Sequence, residues 1–135
     1  MPSSRPKPLR LKPPNGRGFW FPATLVEARP GDRIARDEVF GPVAALIPFA
    51  DEAEAIRIAN DSDYGLSGSI WTENGGRALR VARAIETGVL SINSNSSVRP
   101  STPFGGFKRS GFGRELGMHG LAGYSEVKNV FYSTE

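Results

Sequence analysis

Two segments gather the residues whose types and spacing could do chemistry. The first, Asp37-Glu38-Val39-Phe40-Gly41-Pro42-Val43, sets two carboxylates directly before a bulky apolar run and stiffens the turn between them with Phe40-Gly41-Pro42. Glu38 is thereby a carboxylate fixed beside a core strand. On the residues alone, capping of a helix end by Asp37 or Glu38 is the simpler use of that charge, ahead of ligand binding. The second segment, Pro103-Phe104-Gly105-Gly106-Phe107-Lys108-Arg109-Ser110-Gly111-Phe112-Gly113-Arg114-Glu115-Leu116-Gly117, is glycine-rich, polar and aperiodic. Loops of that kind sit at the ends of parallel strands, where α/β sheets place ligands.

Other chemistries fail on spacing. Gly111-Phe112-Gly113-Arg114-Glu115-Leu116-Gly117 puts its third glycine one residue late for the dinucleotide fingerprint, with no strand directly before it. Gly106 to Gly111 is followed by Phe112 where a phosphate loop needs lysine. Gly65-Leu66-Ser67-Gly68-Ser69 misses the hydrolase nucleophile elbow at its last position. The single histidine, His119, lies among Met118, Gly120 and Leu121 and reads as a packing or surface residue. There is no cysteine, which excludes thiol catalysis, disulfides and thiolate metal sites within this chain.

At 135 residues the chain is long enough for one modest core, and 39% hydrophobic with 23% charged residues is ordinary for a globular protein. No apolar run approaches membrane-spanning length and no signal-like segment opens the chain, so neither membrane nor export is expected and a cytoplasmic location is the default. The net charge of +3 is a tail property. Residues 1–18 hold Arg5, Lys7, Arg10, Lys12 and Arg17 without an acid, and the remainder is slightly acidic. The same stretch carries Pro2, Pro6, Pro8, Pro13 and Pro14, so it reads as a disordered, solvated segment rather than a nucleic-acid-binding face.

The elements that must position these groups follow from Gly18 onward. Phe19 to Val26 is aromatic and β-branched, a strand or extended segment, and Gly31-Asp32 opens a turn or short helix leading to Glu38. Val43 to Phe49 is a strand-length apolar run. Asp51 can cap a helix, with Glu54 completing a capping box and Ala53, Ile56 and Ala59 on one face. Leu66 to Thr72 reads as a strand, with Gly68 allowing a close backbone approach. A helix follows from Gly75-Gly76, its Ala78, Ala82 and Ile85 lining one side and Leu79 widening the stripe. Gly88 suits the position just past its end. Val89 to Asn93 is a third strand. The alternation predicts an α/β fold, a parallel β-α-β-α-β sheet. A short helix over about 115–122 and a final strand over about 127–132 complete the chain.

The two opening segments, in this order and at this separation, resemble the C-terminal part of the NAD(P)-dependent aldehyde dehydrogenases. That family carries an acidic-acidic-x-Phe-Gly-Pro-x motif, matched by Asp37 to Val43. Its Asn-(x)n-Pro-Phe-Gly-Gly-x-Lys-x-Ser-Gly-x-Gly-Arg-Glu stretch is matched by Asn93 and then Pro103 to Glu115. The resemblance runs from about Phe19 to Tyr132. It implies a cofactor, NAD or NADP, whose nicotinamide ribose is hydrogen-bonded by Glu38 and whose nicotinamide packs near Phe40. A carboxylate that accepts two hydroxyl donors and a planar ring that limits tilt suit those roles physically. It also implies that Asn95 to Thr102 line the aldehyde tunnel with Phe104 at its inner part. Glu115 resembles a second carboxylate that some members use to relay protons near the thiol.

On that likeness the expected organisation is a basic segment over 1–18, the C-terminal part of an incomplete catalytic domain over 19–123, and an oligomerisation strand over 124–135. The family's nucleophilic cysteine, glutamate base and adenosine site are absent and are expected upstream. Residues 1–18 do not resemble the sequence expected there, which suggests an altered start or truncated reading frame. The whole enzyme would oxidise an aldehyde to a carboxylic acid through a thiohemiacetal on cysteine. This chain alone is expected to be inactive. The rival reading is a non-enzymatic assembly or regulatory module with the same fold. Val127, Val130, Phe131 and Tyr132 form an apolar, β-favouring edge, so a homo-oligomer is expected in either case.

Overall fold

The computed structural model describes residues 16–135, which divide after Ala50 into two compact units. The basic segment expected over 1–18 lies outside the described residues except for its last three.

The first unit is a β-α-β arrangement. β1 (Thr24–Glu27) pairs in parallel with β2 (Val43–Leu46), in the register Thr24 to Val43 and Glu27 to Leu46. Between them lies the single-turn α1 (Arg33–Arg36). Asp32 precedes it and accepts a 2.7 Å hydrogen bond from the Arg29 amide, folding the turn that Gly31-Asp32 predicts. The ladder continues past both strand ends. The Thr24 amide donates to the Pro42 carbonyl at 2.8 Å and the Ala28 amide to the Leu46 carbonyl at 3.0 Å. Pro42 has no amide to give, but its carbonyl anchors the turn that presents Glu38 and Phe40.

The second unit begins with α2 (Glu52–Asn60), capped as its sequence predicts, the Asp51 carboxylate accepting from the Glu54 amide at 2.8 Å. Next come the two-residue β3 (Tyr64–Gly65), β4 (Ser67–Ile70), α3 (Gly75–Ala84) and β5 (Val89–Ile92). β4 and β5 pair in parallel around α3. Asn74 caps α3, its side chain accepting from the Arg77 amide at 2.8 Å. β6 (Phe107–Lys108) pairs antiparallel with β3, and α4 (Gly117–Gly120) runs into a 3-10 turn over Leu121–Tyr124.

Several expectations are corrected. The ladders form three two-stranded sheets rather than one continuous β-α-β-α-β sheet. β2 finds its ladder partner in β1, and the second unit contains an antiparallel pair that hydrophobic periodicity could not show. No strand forms over 127–132, where Val127 is fully exposed and Val130, Phe131 and Tyr132 are largely so. Ala53 and Ala59 are exposed and only Ile56 of that trio is half-buried, while Leu79 faces solvent. Gly88 does not close α3. The helix stops at Ala84, whose carbonyl is taken by the Asn60 side chain at 2.8 Å. Gly88 answers a different need: a Cβ there would sit 1.8 Å from the Gly105 carbonyl oxygen, so only glycine admits the crossing chain. Over Gly68 lies the Leu90 side chain rather than a backbone.

Among the described residues the buried apolar side chains are Ala28, Ala78 and Val89, none of them large. Phe19, Phe40, Trp71, Phe112 and Phe131 are all exposed. No described helix is long and apolar enough to cross a membrane.

Candidate functional site

The first cluster of expected site residues lies between α1 and β2. Asp37 ends the helix: its amide donates to the Arg33 carbonyl at 2.8 Å, and its carboxylate accepts from Arg33 Nε and Nη2 at 3.1 and 3.0 Å. The capping role therefore falls to Asp37. Glu38 is exposed and makes no hydrogen bond or ion pair among the described residues. Two residues on, Phe40 is 94% exposed. An exposed carboxylate and an exposed ring thus stand on a turn whose far end is fixed into the β1–β2 ladder. Those two groups fit what a ribose diol and a planar heterocycle require, since an ionised carboxylate accepts from two hydroxyls and an aromatic face supports a flat ring.

The second cluster is built differently. At the end of β5, Asn93 adopts a left-handed backbone (φ 53), which asparagine tolerates. Its side chain accepts from the Thr72 amide at 2.9 Å and donates to the Thr72 carbonyl at 3.0 Å, extending the β4–β5 pairing by one rung. The Ser91 hydroxyl donates to the Ser94 carbonyl, so the chain turns sharply into the stretch that carries Asn95. Asn95 is exposed. Phe104 and Glu115 then meet as an isolated antiparallel bridge in which each amide donates to the other's carbonyl at 2.7 Å. The next residue, Leu116, has φ 61 and ψ 168, a conformation close to glycine-only and costing on the order of 1–3 kcal/mol. The Gly117 amide donates to the Pro100 carbonyl at 3.0 Å, holding that turn.

Sequence reasoning did not foresee that the two residues implied by the resemblance, Phe104 and Glu115, would form one backbone-paired neck. It also missed the inward direction of Lys108 and Arg114 in that loop. An open hollow of about 470 Å³ lies against this loop, lined by Glu86, Gly106, Phe107, Lys108, Phe112 and Arg114. None of the expected site residues lines it. His119 is exposed on α4, and no group of residues that could hold a metal occurs among the described residues.

Comparison with known proteins agrees with this assembly of motifs. The pattern of the Aldehyde dehydrogenase family matches residues 8–130. An aldehyde dehydrogenase of Paenarthrobacter nicotinovorans is 45% identical over 121 residues, covering 89% of this chain and 26% of that protein. Among solved structures, an NAD-dependent aldehyde dehydrogenase from Sinorhizobium meliloti superposes with a TM-score of 0.80 at 38% identity, covering 89% of this chain and 24% of the other. Betaine aldehyde dehydrogenase from Staphylococcus aureus, solved with NAD+, gives a TM-score of 0.76 at 42% identity, covering 79% of this chain and 21% of the other. The chain belongs to the aldehyde dehydrogenase family. It spans about a quarter of the length of these relatives.

Proposed function

We propose that this chain is the C-terminal part of an aldehyde dehydrogenase catalytic domain. In this reading it supplies the nicotinamide-ribose carboxylate Glu38, the ring contact Phe40, and the substrate-tunnel residues Asn95 and Phe104. Glu115 stands as a proton-relay carboxylate. The observation that carries the reading is the state of Glu38: a carboxylate within a matching motif, exposed, without a partner among the described residues, near an exposed ring on an anchored turn. NAD or NADP would supply the hydride acceptor when bound. The chain's own residues would orient its ribose and limit the tilt of its ring, which favours reaction through positioning. The exposed apolar side chains also favour this reading, since they leave faces for the rest of a full-length family chain to cover.

The absence of cysteine makes the chain alone inactive in this reading, because no thiolate is present to attack an aldehyde. The test is a chimera in which residues 19–135 replace the matching final quarter of the Paenarthrobacter enzyme. NAD+-dependent oxidation of an aldehyde by the chimera is the expected result. A folded chimera that binds NAD+ but oxidises nothing favours the assembly or regulatory module instead. For homo-oligomerisation we propose pairing of residues 127–132 between copies. Light scattering should show dimers or larger species that diminish when residues 127–135 are deleted.

A further inference from the structure

The loop between Phe104 and Glu115 is rich in groups that usually face a ligand, yet its cation Lys108 is turned inward. Lys108 has a left-handed backbone (φ 54), and its side chain is only 25% exposed. The ammonium donates to the Asn60 carbonyl at 2.6 Å and lies 2.9 Å from the Glu86 carboxylate. Asn60, the last residue of α2, is itself committed. Its side chain donates to the Ala84 carbonyl and accepts from the Glu86 amide, both at 2.8 Å. A single charge therefore ties the loop to the ends of both α2 and α3.

The neighbouring polar residues do less. Arg109 pairs with Asp63 at 3.1 Å, but both side chains are 71% exposed, and such pairs contribute little. Ser110 accepts one neutral hydrogen bond, from the Gly65 amide at 3.0 Å. Arg114 donates to the carbonyls of Gly106 and Gly113 at 3.0 and 2.7 Å, with its guanidinium 5.4 Å from the Phe107 ring centre. It closes the loop on itself without docking it elsewhere. Lys108, whose side chain is only 25% exposed, supplies the better-covered charge-assisted contact that reaches outside the loop.

We propose that Lys108 is a positioning residue. Through Asn60 and Glu86 it holds the neck at which Phe104 and Glu115 pair, and so sets where those two side chains stand. The importance of Phe104 and Glu115 as site residues rests on the function proposed above; the positioning does not.

Amide hydrogen exchange of the full chain, read residue by residue by NMR, tests this. The reporters are Phe104 and Glu115, whose amides bond each other's carbonyls, and Asn93, whose amide donates to the Ile70 carbonyl at 2.8 Å away from the loop. Lys108→Met should speed exchange at Phe104 and Glu115 about tenfold while leaving Asn93 within about twofold. Lys108→Arg, which keeps the charge, should return both amides most of the way. Unchanged exchange at the neck, equal acceleration at all three amides, or no recovery in Lys108→Arg would each overturn the proposal. If Lys108→Met does not fold, Glu86→Gln reads the same amides, with about threefold acceleration confined to the neck expected and none contradicting it. The readout needs neither cofactor nor aldehyde. An inactive chimera with the expected exchange pattern rejects the proposed function alone, and an active chimera with a rigid neck in Lys108→Met rejects the positioning alone.

Discussion

Between α1 and β2, Glu38 and Phe40 stand exposed on a turn held at its far end by one backbone ladder. Between Phe104 and Glu115, by contrast, Lys108, Ser110 and Arg114 all close on groups of the chain itself. Both stretches match family motifs, and both look ligand-directed in a sequence because they combine glycine with charge. The difference teaches that motif polarity has two uses. In the first turn the polar group is exposed and meets no other group among the described residues. In the second loop the polar groups replace a hydrophobic core that the loop is too glycine-rich to build.

That contrast predicts unequal costs for equivalent changes. Gly88→Ala should be the most damaging, about 3 kcal/mol or more, because the new methyl would meet the Gly105 carbonyl oxygen at 1.8 Å. Gly31→Ala in the first unit, where a Cβ meets nothing within 4 Å, should change stability by less than about 0.5 kcal/mol. Denaturant melts of the two variants compare them directly, and equal midpoints would erase the distinction. Asn60→Ala comes next. It removes two hydrogen bonds at the end of α3, one part-buried and one exposed, with an expected loss of about 1–2 kcal/mol by the same melts. Asp37→Asn weakens an exposed pair with Arg33 and should cost less than about 0.5 kcal/mol.

Much of the local structure was legible because it is written in short-range chemistry. Asp51 caps its helix and the Gly31-Asp32 turn forms. Long-range pairing was not legible. Nothing in Phe107-Lys108 announces a strand, since two residues have no period, and its partner Tyr64-Gly65 lies far away in sequence. Asn60 is the last residue of α2, yet its side chain also meets the end of α3, a contact across 24 positions. Apolar stripes misled at Ala53, Ala59 and Leu79 because the faces they mark are uncovered among the described residues. At the candidate site, the Glu38 turn could be read from its neighbours, whereas the Phe104–Glu115 neck depends on a bridge that no spacing reveals.

A smaller effect concerns pH. Glu52 has its pKa lowered from the ordinary 4.5, first by its hydrogen bond from Arg80, with further favourable charge from Arg80 and Arg77 acting against desolvation. A carboxylate whose folded pKa is depressed contributes stability that is present above its unfolded value and lost as pH falls through the folded one. The melting-temperature advantage of wild type over Glu52→Gln should therefore shrink as pH is lowered from neutral through the carboxylate range. A pH-independent difference would show that the Arg80 contact acts through packing rather than charge.

The most direct test of the open turn is Glu38→Gln in the active chimera, with thermal melting and NAD+-dependent aldehyde oxidation measured on the same preparation. Because Glu38 has no partner among the described residues, melting should be unchanged. The rate should fall about tenfold or more, as expected for loss of a charge-assisted hydrogen bond of about 1.5–3 kcal/mol to the cofactor. A lowered melting temperature with full specific activity in the folded fraction would contradict the account and return Glu38 to a purely structural role.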